Sequence, residues 1–326
     1  MKPGTGILVT GGAGFIGSHY VRTMLAGGYP GYEDALVTVV DKLTYAGNTD
    51  NLPIGHPRLT FVRGDIRGRD LLEHLLPGHR AVVHFAAESH VDRSVDGGAD
   101  FVGTNVLGTQ NVLGASLRAG VETVVHVSTD EVYGSIDAGE WTEDAPLLPN
   151  SPYSASKAGS DLLARAYHRT HGLDVRVTRC ANNYGTHQHV EKLIPLFVTS
   201  LLRGLPVPLY GDGGNVREWL HVDDHCRAIQ LVLTGGRGGE IYNVGGGTAT
   251  TNREMTDRLL DLCDADPSLV RYVEDRKGHD LRYATDDGKI RAELGYAPGR
   301  TLDDGLRDVV AWYRDNRNWW KNLVRD

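Results

Sequence analysis

The chain has 326 residues, 40% of them apolar and 23% charged, which suits one large or two ordinary globular domains with a substantial core. Acids outnumber bases by 42 to 34, giving a formal net charge of −8; this excludes a general nucleic-acid binder, whose footprint is basic, and leaves room for a local basic pocket. No apolar run approaches a membrane span, no signal-peptide pattern opens the chain, and Cys180, Cys226 and Cys263 form neither a disulfide framework nor a C-x-x-C site, so a reduced, cytoplasmic protein with no membrane partner is expected.

Short β-branched runs at 7–10, 37–41, 59–63, 81–85, 123–128 and 175–179 alternate with helix-like stretches at 15–26, 71–76, 102–119 and 153–171. Near-continuously apolar strands separated by helices predict an α/β fold, a doubly wound parallel sheet covered on both faces. After about residue 185, helical segments at 192–203, 222–234, 252–263 and 302–316 are separated by turns such as Gly211-Asp-Gly-Gly214 and Gly245-Gly-Gly247. The expected division is a nucleotide-binding Rossmann domain over 1–185, to which a segment near 215–245 returns, and a smaller, mostly helical substrate domain over 186–326. Trp312, Trp319 and Trp320 read as packing anchors for the final helix and tail.

Residues 10–18 read Thr-Gly-Gly-Ala-Gly-Phe-Ile-Gly-Ser, so Gly11, Gly14 and Gly17 fall between a strand and a helix. That context permits a tight turn and close approach of backbone to a pyrophosphate at the helix N-terminus. Asp41 ends the second strand, where a carboxylate accepts from both ribose hydroxyls and repels a 2′-phosphate, favouring NAD over NADP. Lys42 reads either as a solvated lysine or as a group softening that preference. Asp65 reads either as a turn residue or as an acceptor for an adenine amine.

Tyr153 and Lys157 stand at i,i+4 and share one helix face. A lysine cation beside a phenol favours the phenolate, which takes a proton from a sugar hydroxyl as hydride leaves the same carbon; the expectation is a lowered Tyr153 pKa. With 14 tyrosines and seven lysines, chance alone supplies roughly 0.3 such pairs, so the place of this one after the fifth strand gives it weight. The strand before it ends Ser128-Thr-Asp-Glu-Val-Tyr-Gly134. Elimination of water needs an acid for the leaving hydroxyl and a base for the carbon-bound proton, and Asp130 with Glu131 supply both.

These motifs resemble the extended short-chain dehydrogenase/reductases over essentially the full length, and within them the nucleotide-sugar 4,6-dehydratases. The resemblance also rests on Asp41-Lys-Leu-Thr-Tyr-Ala-Gly-Asn48, Ala86-Ala-Glu-Ser-His-Val-Asp-Arg-Ser94, Glu191-Lys-Leu-Ile-Pro195 and Asp275-Arg-Lys-Gly-His-Asp280. It implies an NAD-dependent lyase that oxidises C4 of a nucleotide-linked glucose, eliminates water across C5 and C6, and returns hydride to C6 in a step of deoxysugar biosynthesis. The long motif matches favour dTDP-glucose as substrate over a GDP or UDP sugar. Tyr153 is then the base at the 4-hydroxyl, Glu131 the base at C5, Asp130 the acid at the 6-hydroxyl, and Thr129 a hydrogen-bond partner of the 4-oxygen. By the same resemblance the cofactor is bound by Gly11, Gly14, Phe15, Ile16, Gly17, Asp41, Lys42, Thr44, Asp65, Ile66, Phe85, Ala86, Ala87, Thr104, Tyr153, Lys157 and Asn183.

For the substrate diphosphate, Arg217 offers a guanidinium fork. Motif matching adds Ser89, Thr129, Asn182, Lys192, Leu193, Asn243, Arg276 and His279, each of which also reads as an ordinary surface or loop polar position or packing residue. Thr186 stands where the family pattern has proline, which predicts a looser loop at 185–188. His221 and His225 share a helix-like face, but the ligand context of a zinc site is missing, and no metal is expected. The helices at 102–119 and 153–171 are rich in small and apolar residues, and in the family such helices pair two chains into a homodimer. A C4 epimerase on the same scaffold needs no acid/base pair for dehydration, and a non-catalytic NAD sensor needs neither that pair nor Tyr153 and Lys157.

Overall fold

Strands occupy Gly6–Thr10 (β1), Leu36–Asp41 (β2), Leu59–Arg63 (β3), His79–His84 (β4), Thr123–Thr129 (β5), Val175–Cys180 (β6), Asn182–Tyr184 (β7), Val207–Tyr210 (β8), Val216–His221 (β9), Ile241–Val244 (β10), Ala249–Thr251 (β11) and Val270–Val273 (β12) in the computed structural model. Helices occupy Phe15–Leu25 (α1), Arg69–Leu75 (α2), Val91–Asp96 (α3), Gly98–Phe101 (α4), Thr109–Ala119 (α5), Pro152–His171 (α6), Leu193–Leu201 (α7), Val222–Gly235 (α8), Asn252–Cys263 (α9), Gly288–Leu294 (α10), Leu302–Asp315 (α11) and Arg317–Trp320 (α12). The structure describes residues 5–276 and 278–324; the start of the chain before Thr5 and Lys277 of the 275–280 run lie outside the described residues.

Seven strands pair in parallel in the order β10-β6-β5-β4-β1-β2-β3. The order reverses between β1 and β4, and that crevice outside the carboxyl ends is where an open α/β sheet receives its ligand. Apolar side chains of the strands fill both faces. Val37, Val39 and Val83 meet Tyr20, Met24, Cys226 and Ile229 of α1 and α8 on one side. Leu8, Val40, Val82 and Val124 meet Leu72, Val112, Leu113 and Ala164 of α2, α5 and α6 on the other. A separate core joins α7, α9 and α11 through Ile194, Phe197, Leu259, Leu306 and Val309. Strand β10 adds to the edge of the sheet beside β6. Helix α8, within the 215–245 segment, packs on the sheet with α1, and Ile290 of α10 and Tyr296, from outside that segment, extend the same core.

The stretch expected as one helix over 102–119 is interrupted. A π-helical turn spans Val102–Gly108 between α4 and α5. Its Asn105 is buried and bonds the Glu88 N–H at 2.8 Å, the Glu88 carbonyl at 3.0 Å and Ser156 Oγ at 2.8 Å. Those long-range bonds account for the wider turn, a device common beside functional sites. Helix α6 has clear end signals: Ser151 and Ser154 form a reciprocal capping box, Pro152 opens the first turn, and Gly172 leaves it at φ 70°.

The loop at 185–188, where Thr186 predicts looseness, is packed against the C-terminal aromatics. His187, at φ 63°, packs on Trp312 at 4.3 Å and Trp319 at 5.6 Å between ring centroids. The Tyr313 hydroxyl donates to the Gln188 carbonyl, and Trp319 Nε1 donates to Asn51 Oδ1 at 2.9 Å.

Candidate active site

Two cavities meet at the carboxyl ends of the central strands and share Glu131, Asn182, Asn183, Gln188, Glu191 and Lys192. The first opens over the turn between β1 and α1. Gly14 caps α1 without a side-chain bond, so the first amides of the helix are free to meet an anion. Gly11 holds φ +69°, and a Cβ there would lie 2.6 Å from Ala86 N; a Cβ on Gly17 would lie 2.4 Å from the Gly11 carbonyl oxygen. Neither position admits a side chain, and the backbone is left bare against the cavity.

Asp41 ends β2 on the wall of this cavity. Its Oδ2 accepts from Ala13 N at 2.9 Å and its Oδ1 from Leu43 N at 2.8 Å, which fixes the carboxylate with lone pairs to spare. Lys42 turns toward Asp65 at 3.0 Å, and Arg67 holds the same carboxylate at 2.7 Å. Burial raises the Asp65 pKa, but Arg67 and Lys42 outweigh it and bring it down to about 2. With Lys42 engaged by Asp65, Asp41 is left to discriminate against a 2′-phosphate. Phe15, Ile16, Thr44, Ile66, Phe85, Ala86, Ala87, Thr104 and Asn183 line the rest of the cavity, which brings every cofactor candidate of the sequence reading together. The bare glycine cradle, the open helix end and the fixed acid fit a dinucleotide without a 2′-phosphate.

Tyr153 and Lys157 project from one face of α6 into the same cavity, and both are buried. The expected lowering of the Tyr153 pKa is not found. Burial raises it well above the phenol range, and Glu131 raises it further. Lys157 Nζ donates instead to the Val127 carbonyl at 2.8 Å, and burial lowers its pKa. Desolvation of both groups outweighs their proximity in the protein alone.

The acids follow β5 on a single 3-10 turn, Asp130–Tyr133, whose N-cap is Thr129. Thr129 Oγ1 accepts from Glu131 N at 3.3 Å and donates to Asp130 Oδ1 at 3.3 Å. Asp130 is 3% exposed, and its Oδ2 has no hydrogen-bond partner. Burial raises its pKa well above the carboxyl range, with Glu131 and Glu218 adding to the rise. Glu131 is also raised by burial, but Lys192 and Arg217 oppose the shift. Burial thus raises both neighbours and Arg217 opposes the rise at each, but Lys192 and Arg276 act on Glu131, whereas Asp130 has the Glu131 and Glu218 charges against it.

The second cavity carries the basic groups despite the acidic composition of the chain. Arg217, 7% exposed, lies with its guanidinium 4.4 Å from the Tyr283 ring centroid. Arg276 pairs with Asp92 at 3.0 Å and lies 5.1 Å from the Tyr210 ring centroid. Lys192 donates to the Ser89 carbonyl at 2.8 Å. Asn182, Leu193 and His279 line the same cavity, and Ser89 lines the first.

Asn243 does not join them. It is fully buried, its Oδ1 accepts from the Tyr133 hydroxyl at 2.8 Å, and its Nδ2 donates to the Trp141 and Asp286 carbonyls. No part of it is left for a ligand, so its assignment to the substrate is corrected. Asn252, nine residues on, lines the second cavity with a buried Oδ1 that has no partner. Sequence reading also missed Pro208, Leu209 and Tyr210 on the cavity wall. The only signal was an aromatic at the end of a short strand, beside a glycine-rich turn that was read as punctuation alone. His221 caps α8, and His225 Nδ1 lies 2.8 Å from Asn183 Oδ1, so both histidines have structural partners.

The family model described as GDP-mannose 4,6 dehydratase matches residues 8–309. A dTDP-glucose 4,6-dehydratase of Streptomyces antibioticus is 61% identical over 320 residues, covering 98% of this chain and 95% of the relative. The crystal structure of DesIV, a dTDP-glucose 4,6-dehydratase from Streptomyces venezuelae with NAD and dTDP bound, superposes with a TM-score of 0.97 at 65% identity, covering 98% of this chain and all of that one. A UDP-glucose 4-epimerase from Thermotoga maritima shares the fold with a TM-score of 0.89 at 32% identity, covering 96% of this chain and 100% of its own.

Proposed function

From a chain that belongs to the extended short-chain dehydrogenase/reductases, in the family described as GDP-mannose 4,6 dehydratase, we infer the NAD-dependent conversion of dTDP-glucose to dTDP-4-keto-6-deoxyglucose and water. The observation that carries this reading is the convergence of Tyr153 and Lys157 with the Asp130–Glu131 pair on one cavity. A C4 epimerase needs the first pair only, and identities above 60% are with dTDP-glucose dehydratases.

The first cavity would hold NAD, whose nicotinamide ring, positive in its oxidised form, would supply the hydride acceptor for C4 and the donor for C6. The chain supplies the proton chemistry. Tyr153 takes the proton of the 4-hydroxyl, with Thr129 hydrogen-bonding the 4-oxygen. The 4-ketone acidifies the C5 proton, which Glu131 removes. Asp130, kept protonated by burial, donates to the departing 6-hydroxyl. Glu131, holding that proton, returns it to C5. The first cavity belongs to the cofactor, held by its glycine turn, Asp41 and Lys157. The second belongs to the sugar nucleotide, with Arg217, Arg276 and Lys192 facing the diphosphate and Asn252 and Tyr210 toward the nucleoside. On this reading the cofactor goes with the 1–185 domain and the substrate mainly with 186–326.

We also assign a homodimer through the 102–119 segment and α6, where Val102, Leu107 and Leu162 are each more than half exposed. Sedimentation equilibrium should give twice the chain mass for the wild type and the single mass for Leu162→Glu; a wild-type monomer rejects the assignment. The three cysteines are free, and no described helix is long and apolar enough to cross a membrane; a cytoplasmic location is the reading to test by cell fractionation, where recovery with membranes opposes it.

The direct test is incubation with dTDP-glucose in deuterated water, without reductant, followed by mass spectrometry. Loss of one water and gain of one carbon-bound deuterium is expected. An unchanged mass with NAD present removes this reading, and an inverted C4 by NMR with UDP-glucose replaces it with epimerisation.

A further inference from the structure

Three side chains with no part in the proton steps form a buried polar chain between the two catalytic elements. On α6, Tyr153, Lys157 and Asp161 follow one another at i, i+4 and i+8 along one face. Asp161 is fully buried, and its Oδ2 accepts from Arg179 Nε at 2.9 Å. Arg179, on β6 and 1% exposed, uses Nη1 to donate to the Tyr133 hydroxyl at 2.8 Å. Tyr133 closes the turn that begins with Asp130 and Glu131, and its hydroxyl donates onward to Asn243 Oδ1 of β10 at 2.8 Å. None of the three side chains lines either cavity.

A buried ion pair of this kind is a poor means of stabilising a fold, because desolvation offsets most of its attraction. Its value lies in fixed geometry. Helix α6 has other restraints: its capping box, its length and its packing on β5 and β6. The acid-bearing turn packs Val132 and the Tyr133 ring against Ala158 of α6, Trp141, Ala145 and Leu147, contacts that hold it close but, being apolar, fix no orientation, and its polar bonds are fewer. Thr129 caps it at 3.3 Å, and the Val132 carbonyl accepts from Leu148 N at 3.1 Å. The Tyr133 hydroxyl is the side-chain bond that anchors the turn to the sheet.

We infer that Tyr133 and Arg179 are positioning residues for dehydration, holding the Asp130–Glu131 turn in register with the Tyr153 helix. The inference rests on the reading that those carboxyl groups carry out the elimination. Displacement of the turn by a fraction of an ångström slows proton transfer at C5 and C6 more than the C4 step, whose base is on α6 and whose partner Thr129 is held at the end of β5.

Tyr133→Phe tests this. It keeps the ring, which stacks on Trp141 at 6.2 Å, and removes only the hydroxyl. On mixing the NAD-loaded protein with dTDP-glucose, the near-ultraviolet absorbance of reduced nicotinamide should accumulate. Water loss and C5 deuterium exchange should slow by about ten- to a hundredfold, with bound NAD unchanged. Arg179→Lys, which keeps a cation against Asp161 and loses the fork, should shift the balance the same way and serves if Tyr133→Phe does not fold. Val232→Ala, a core truncation on α8, should lower the melting temperature without altering the ratio of the two steps. Equal slowing of both steps, or no change in either, overturns the inference. Glu131→Gln separates the two layers: water loss at the wild-type rate in that variant removes the underlying reading, whereas blocked water loss there with normal water loss in Tyr133→Phe removes only the positioning role.

Discussion

Tyr153→Phe is expected to lower turnover by about a thousandfold or more while the protein retains its NAD. The phenyl ring keeps the edge-on packing of Tyr153 against Phe101 at 6.3 Å, so α6 has no reason to move. Lys157 keeps its bond to the Val127 carbonyl, and the glycine turn and Asp41 are untouched. What disappears is the hydroxyl that must accept the proton of the 4-hydroxyl as hydride leaves C4. Because this step precedes elimination, the variant should form neither reduced nicotinamide nor the dehydrated sugar, and no deuterium should enter C5. Quantifying NAD released on denaturation alongside turnover distinguishes the possibilities. Near-normal turnover would remove Tyr153 from the chemistry. Loss of NAD with turnover would make the phenol a binding group. A non-catalytic sensor predicts that no function changes at all.

Much of this architecture is readable from the chain because local and global signals agree. The six early strands are apolar runs bounded by turn residues, and their places match β1 to β6 within two residues at either end. The glycine turn is legible because its residues must be small: a side chain at Gly11 or Gly17 collides with backbone. The acid pair is legible because two adjacent carboxyl groups beside a hydride-transfer pair need a use. Less legible are features set by distant partners. Asn243 and Asn252 lie in one glycine-rich stretch, and spacing alone does not say which is consumed by Tyr133 and which faces a cavity. The π-helical turn at Val102–Gly108 depends on Asn105 reaching Glu88 and Ser156, which no period reveals. The Tyr153 pKa was misjudged for a similar reason. The i,i+4 spacing shows the lysine but not the burial that outweighs it. Residue Tyr210 was missed because a single aromatic in a four-residue strand carries no pattern of its own.

Replacement of the two acids should divide the elimination into its halves. In Glu131→Gln the base at C5 is gone, while Tyr153 and Lys157 still complete the C4 step. Reduced nicotinamide should therefore appear on mixing with dTDP-glucose, and neither water loss nor C5 deuterium exchange should follow at more than about a hundredth of the wild-type rate. In Asp130→Asn the acid is gone but Glu131 remains. Asn matches the protonated, uncharged form assigned to Asp130, so the charge around Glu131 is left as it was. The C5 proton should then exchange with solvent deuterium while the 6-hydroxyl stays in place, giving a labelled, undehydrated sugar. The charges around each acid underlie the asymmetry: burial raises both and Arg217 opposes both, while Glu131 and Glu218 add to the rise at Asp130 and Lys192 opposes it at Glu131. Mass spectrometry and proton NMR at C5 read both outcomes in one experiment. If Asp130→Asn instead abolishes C5 exchange while Glu131→Gln retains it, the roles are reversed. If each variant slows exchange and water loss in equal proportion, the two carboxyl groups act as one proton-sharing unit, and the separate assignments fall.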